Sequence, residues 1–152
     1  MEYGTLEREI HIEASPEVVF EVISRPEHLR EWWPDDADLE PVVGARGTVT
    51  FGEPGAADAV VAPITVVEAD PPHRFAFRWV DDETQGTSRS LLVTFVLEAV
   101  DGGTLLHFSE TGFREKGWEA AVLEEAYADH VRGWDLFLPR LVSHARDVGA
   151  RR

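Results

Sequence analysis

Apolar and polar side chains alternate from Leu6 to Ala14: Leu6, Ile10, Ile12 and Ala14 fall on one side, Glu7, Glu9, His11 and Glu13 on the other. A period of two predicts a strand with one buried and one wet face, Arg8 being the polar exception on the inward side. Ser15-Pro16-Glu17 then supplies an N-cap, a proline at the first helical position and an acid at the positive end of the dipole, ahead of Val18, Val19, Phe20, Val22 and Ile23. A short helix is expected there. Pro26 ends it and starts a second short helix carrying Leu29, Trp32 and Trp33, which Pro34 and an acidic loop, Asp35-Asp36-Ala37-Asp38, close.

From Val42 to Thr111 the chain reads as strands separated by turn residues: Gly52-Glu53-Pro54-Gly55, Asp70-Pro71-Pro72, Asp81 to Gly86, and Asp101-Gly102-Gly103. This predicts a meander of hairpins with one aromatic face, formed by Phe75, Phe77 and Trp79, then Val93, Phe95 and Leu97, then Leu106 and Phe108, with Glu110 continuing that face. Pro63, inside an expected strand from Val60 to Glu68, marks an edge position or a bulge because it has no N–H for a ladder. The period then changes. Trp118, Val122, Ala126, His130, Trp134, Phe137, Leu138, Leu141 and Ala145 recur at steps of three and four, predicting a long amphipathic helix from about 118 to 145. Gly133 and Pro139 interrupt the pattern, so a bend is expected between them.

Composition narrows the function classes. The chain has 152 residues, 43% of them apolar, which suits one compact domain spanning 1–152. Against 14 Lys and Arg stand 29 Asp and Glu, a net charge of −15. No basic patch is present to bind nucleic acid or an anionic membrane surface. The absence of cysteine removes disulfides, thiolate nucleophiles and cysteine-ligated zinc. The first residues lack a basic stretch followed by an apolar one, and no run of about 18 apolar residues occurs, so a cytoplasmic location is expected. Repeats and low-complexity segments are absent.

The order of elements is that of the helix-grip arrangement, in which a curved sheet wraps the last helix and encloses a cavity. Five segments resemble START-like (SRPBCC) proteins of the activator-of-heat-shock-ATPase-homologue type. These are Ile10 to Phe20; Pro26-Glu27-His28-Leu29-Arg30-Glu31-Trp32-Trp33; Asp70-Pro71-Pro72-His73-Arg74-Phe75 with Trp79; Gly103-Thr104-Leu105-Leu106 leading to Ser109-Glu110-Thr111-Gly112-Phe113; and His130-Val131-Arg132-Gly133-Trp134 with Leu141. The resemblance covers about residues 6–145. It implies an α+β domain with a curved antiparallel sheet of six or seven strands, two short helices after the first strand, and a pocket for a small hydrophobic or aromatic ligand without a cofactor. Relatives of that superfamily include lipid-transfer domains, polyketide cyclases and aromatases, and plant hormone receptors. Pro139 departs from the usual ending of the last helix.

Inward strand residues and the inner helix face name the expected lining: Trp33, Phe51, Phe75, Phe77, Trp79, Phe95, Phe108, Trp118, Val122, Tyr127, His130 and Trp134. The competing reading is that these side chains simply fill a core. His130 falls in the apolar stripe, where it either orients a ligand and serves as acid or base, or is a buried imidazole bonded to the sheet. Arg8 and Glu110 share the inward side. They either pair as a polar anchor for a ligand or reach water from strand ends. The clusters Asp35-Asp36-Asp38 and Asp81-Asp82-Glu83 lack calcium-loop spacing and read as solvated turns. No histidine pair has zinc spacing, and no phosphate loop or Gly-x-Ser-x-Gly elbow occurs, so no metal is expected.

Three functional readings follow. The first is binding of a small apolar metabolite between sheet and C-terminal helix, with His130 and Glu110 as polar contacts. The second is a cyclase-like or aromatase-like enzyme in which His130 handles a proton. The third is a protein-interaction module acting on a chaperone ATPase, as the family resemblance implies. Sheet edges and the Trp32-Trp33 region offer surfaces through which the chain could pair as a homodimer, against which the charge of −15 acts at low salt.

Overall fold

A computed structural model describes residues 4–53, 55–79, 90–113 and 120–151. Strand β1 is Thr5–Ile12, followed by helices α1 (Pro16–Ser24) and α2 (Pro26–Trp32). The Ser15 hydroxyl caps α1 by accepting the Val18 N–H at 3.3 Å, and Pro16 starts it. Strands β2 (Asp36–Asp38), β3 (Arg46–Phe51), β4 (Val60–Asp70), β5 (Arg74–Trp79), β6 (Leu91–Val100) and β7 (Gly103–Thr111) then lead to helix α3 (Ala120–Ala150).

The seven strands form one antiparallel sheet in the order β1-β7-β6-β5-β4-β3-β2, so β2 to β7 are a meander and only β1 is out of sequence. The sheet curves around α3 in the expected helix-grip, α+β arrangement. Its inner face carries Leu6 and Ile12 of β1, Phe75, Phe77 and Trp79 of β5, Leu91, Val93, Phe95 and Leu97 of β6, and Leu106, Phe108 and Glu110 of β7. Against it pack Val19, Val22 and Ile23 of α1 and the α3 stripe Trp134, Leu138, Leu141, Ala145 and Val148. Trp32 is core as well, its indole N–H donating to the Val22 carbonyl at 2.9 Å. Among the described residues no helix is long and apolar enough to cross a membrane.

Four sequence expectations need correction. Asp36–Asp38 is not part of an acidic loop but the edge strand β2, paired with Thr48–Thr50. Ala37 between the acids is 1% exposed, and Asp36 accepts from Arg30 Nε at 2.9 Å, so a period of two operates even here. Pro63 lies opposite Thr48 in β4, in the part of that strand before its described pairs with β5 begin at Ile64, and the bulge falls at Val66–Glu68 instead. Helix α3 includes Gly133 and Pro139 and ends at Ala150, beyond the expected end near 145. Pro139 has no N–H to offer the Asp135 carbonyl, and both residues are exposed.

The fourth is Val122, which is 47% exposed rather than inward. Steps of four residues overshoot a helical turn by about 40° each, so the series back from Trp134 through His130 and Ala126 has rotated about 120° by Val122. Leu123 and Tyr127 stay within about 20° of Trp134 and are the residues packed against the core.

Candidate functional site

Glu110 is 0% exposed on the inner sheet face near the end of β7, opposite Leu6 of β1 and Val93 of β6. A carboxylate in such a place needs donors for its lone pairs. Trp79 Nε1–H donates to Oε2 at 2.8 Å, and Trp134 Nε1–H donates to Oε1 at 3.0 Å. His130 Nδ1 lies 2.7 Å from Oε1. Strand β5 and helix α3 thus converge on one carboxylate of β7. No buried polar side-chain atom among the described residues lacks a partner.

Indole N–H groups only donate, so each carboxylate oxygen accepts from one tryptophan, and the contact with Oε1 is a hydrogen bond from His130 in the tautomer that carries its hydrogen on Nδ1. His130 is 19% exposed in its side chain, and Nε2 makes no hydrogen bond among the described residues. The ring is braced edge-on by Phe113, centroids 5.3 Å apart at 89°, and by Trp79 at 5.6 Å.

His130 borders an open cavity of about 190 Å³ whose other lining residues are Trp33, Phe51, Trp79, Asp129, Gly133, Trp134 and Phe137. The walls are made of rings in mutual contact. Trp33 stacks on Trp134 (5.2 Å, 27°) and on Phe77 (5.4 Å, 29°) while meeting Phe51 and Trp79 edge-on. Gly133 gives the cavity depth: a Cβ there would meet only Phe137, at 4.0 Å. Two larger grooves, about 450 and 360 Å³, flank Arg8 and border neither Glu110 nor His130.

Of the residues expected at the site, Trp33, Phe51, Trp79, His130 and Trp134 surround this cavity, and Glu110 stands behind it. Phe75, Phe77, Phe95 and Phe108 are fully buried and form the core behind that wall. Tyr127 packs on Phe113 and donates to the Thr5 carbonyl at 3.0 Å. Trp118, like Asp81-Asp82-Glu83, lies outside the described residues. Asp129, Gly133 and Phe137 were not anticipated as lining. Their helical offsets from His130 and Trp134, one or three residues, carried the signal.

Arg8 does not meet Glu110. Its guanidinium pairs with Asp135 of α3, Nε to Oδ1 at 3.0 Å and Nη2 to Oδ2 at 3.2 Å. The Asp135 hydrogen bond raises the Arg8 pKa above its ordinary value against a partial burial penalty. Because β1 is an edge strand, its inward residue reaches round the helix flank instead of into the centre. Glu110 likewise departs from the solvent-reaching alternative.

A second polar contact joins α2 to α3: His28 Nδ1 and His144 Nε2 are 3.0 Å apart. Burial, then the neighbouring His28, holds the His144 pKa below the ordinary histidine value. Among the described residues no group of His, Asp and Glu is placed to hold a metal ion.

The family described as Activator of Hsp90 ATPase homolog 1-like protein matches residues 13–146. In fold, the chain is similar to a Mesorhizobium loti protein, 24% identical over 92% of this chain and 95% of that one, with a TM-score of 0.74. It is also similar to an Aha1 dimer from Colwellia psychrerythraea, 20% identical, covering 93% and 96%, TM-score 0.69. DynU16, from the dynemicin biosynthetic locus, is 20% identical over 93% of this chain but 46% of its own, TM-score 0.68. No curated protein matches.

Proposed function

Because the chain belongs to the Activator of Hsp90 ATPase homolog 1-like family, we propose that it uses the helix-grip fold to bind a small aromatic or apolar metabolite between β5 and α3. The observation that carries this reading is an imidazole, His130, held by Glu110 in a mostly aromatic wall around an open cavity. Apolar walls with a few placed polar groups are how small-molecule sites are built. About 190 Å³ is below the roughly 300–1,000 Å³ of pockets for drug-sized ligands, so the cavity suits one ring or a short acyl segment of its ligand.

Native mass spectrometry of gently purified protein tests it. The expected result is a small extra mass that vanishes on denaturation and is missing from Gly133→Leu, whose side chain fills the cavity. No adduct, and no thermal shift across a panel of aromatic and acyl compounds, overturns the reading. The enzymatic alternative uses the same cavity and requires that any turnover disappear in His130→Ala. A partner reading, supported by the dimeric Colwellia relative, predicts a homodimer, and light scattering during size exclusion decides it.

A further inference from the structure

The polar chemistry of the cavity specifies more than an apolar guest. Glu110 accepts from Trp79, Trp134 and His130, so its oxygens are committed and the His130 proton is committed to Nδ1. With its hydrogen on Nδ1 directed at Glu110, the imidazole presents the Nε2 lone pair to the cavity: an acceptor without a donor beside it. The acid in the lining is Asp129, which is paired with Arg132 and adds no donor. A ligand carboxylate entering here would face the Asp129 charge and a chain of net charge −15. A ligand ketone or ether would set its oxygen lone pairs against that of Nε2.

We infer that the cavity selects a neutral aromatic compound carrying a hydroxyl, a phenol, whose O–H donates to His130 Nε2 while its ring packs among Trp33, Trp79 and Trp134. This rests on the binding reading above and narrows its ligand class. Glu110 is a positioning residue in it: it touches no ligand but sets which imidazole nitrogen faces the cavity.

Calorimetric titration of the full chain with phenol, acetophenone and toluene at neutral pH tests the inference. These probes share a ring and differ in offering a donor, an acceptor only, or neither. Phenol is expected to bind at least about ten-fold tighter than either analogue, because the analogues leave the Nε2 lone pair unmet. His130→Phe should bind the three alike. In Glu110→Gln an amide NH2 in the place of Oε1 donates to Nδ1 and turns Nε2 into a donor, while the amide oxygen keeps the Trp79 N–H and Trp134 loses its acceptor. Phenol should then lose its advantage over acetophenone.

Equal binding of all three probes by the unaltered protein overturns the phenol inference and leaves the cavity reading standing. So does an unchanged phenol preference in His130→Phe that folds normally. Failure of all three to bind at millimolar concentration overturns both. The wild-type comparison stands without the variants should they not fold.

Discussion

His130 Nδ1 stands 2.7 Å from Oε1 of Glu110, joining the last helix to a carboxylate that has no contact with solvent. The two indole N–H groups that share that carboxylate make it a structural centre as well as a polar one. Glu110→Ala leaves an imidazole and two indoles without their acceptor, and should cost about 3–5 kcal/mol in chemical denaturation. Glu110→Gln, which keeps one acceptor oxygen, should cost about 1–3 kcal/mol. A loss below about 1 kcal/mol for the alanine variant would mean that water replaces Glu110 freely.

Gly133 lies in mid-helix with open space in front of it. Replacing it with alanine should stabilise the fold by up to about 1 kcal/mol, the usual helix penalty of glycine. Gly133→Leu should fold and lose ligand binding. Thermal melts and titration of the two variants separate these effects, and a destabilised Gly133→Ala would contradict the open space.

The His28–His144 contact predicts a pH dependence. Burial and His28, aided by Arg151 and opposed by Glu31 and Asp147, hold His144 below the ordinary value of about 6.5. The unfolded chain therefore binds more protons in the window below about 6.5, and stability from this site is present above it and lost as pH falls toward the folded value. Melting temperatures at about pH 7.5 and 5.5 should fall further for the wild type than for His144→Gln. An equal fall in both would show that the pair is not the source.

Arg8 and Asp135 supply the contrast. Their side chains are 35% and 52% exposed, so the pair should contribute at most about 1 kcal/mol despite its two hydrogen bonds. Arg8→Met should shift the denaturation midpoint little, and less still at high salt. A loss comparable to Glu110→Ala would place this pair among the main supports of the fold.

Much of this was legible in the sequence where a single period ruled. The inward faces of β5, β6 and β7, Glu110 included, follow from alternation, and Ser15-Pro16 marks the start of α1. The site was legible as a set of rings. Its wiring was not, because which partners each of the two inward charges finds depends on strand order: β1 is at the edge and β7 is not. Asp36–Asp38 misread as a loop because two acids outweigh one alanine in composition though not in register. Val122 misread because a four-residue repeat drifts around the helix.

The strand order also dictates the sequence of assembly during synthesis. Strands β2 to β7 can pair as each emerges, since every neighbour is next in the chain. Strand β1, made first, must wait for β7, where Leu6 meets Glu110 and Ile12 meets Thr104 across about ninety residues or more of intervening chain. Until α3 follows, the Glu110 carboxylate has neither His130 nor Trp134 to bond, so the growing sheet keeps a hydrated charge on its inner face. That charge opposes dry collapse of the nascent sheet on itself, and α3, made after β7, is the helix that removes water from it.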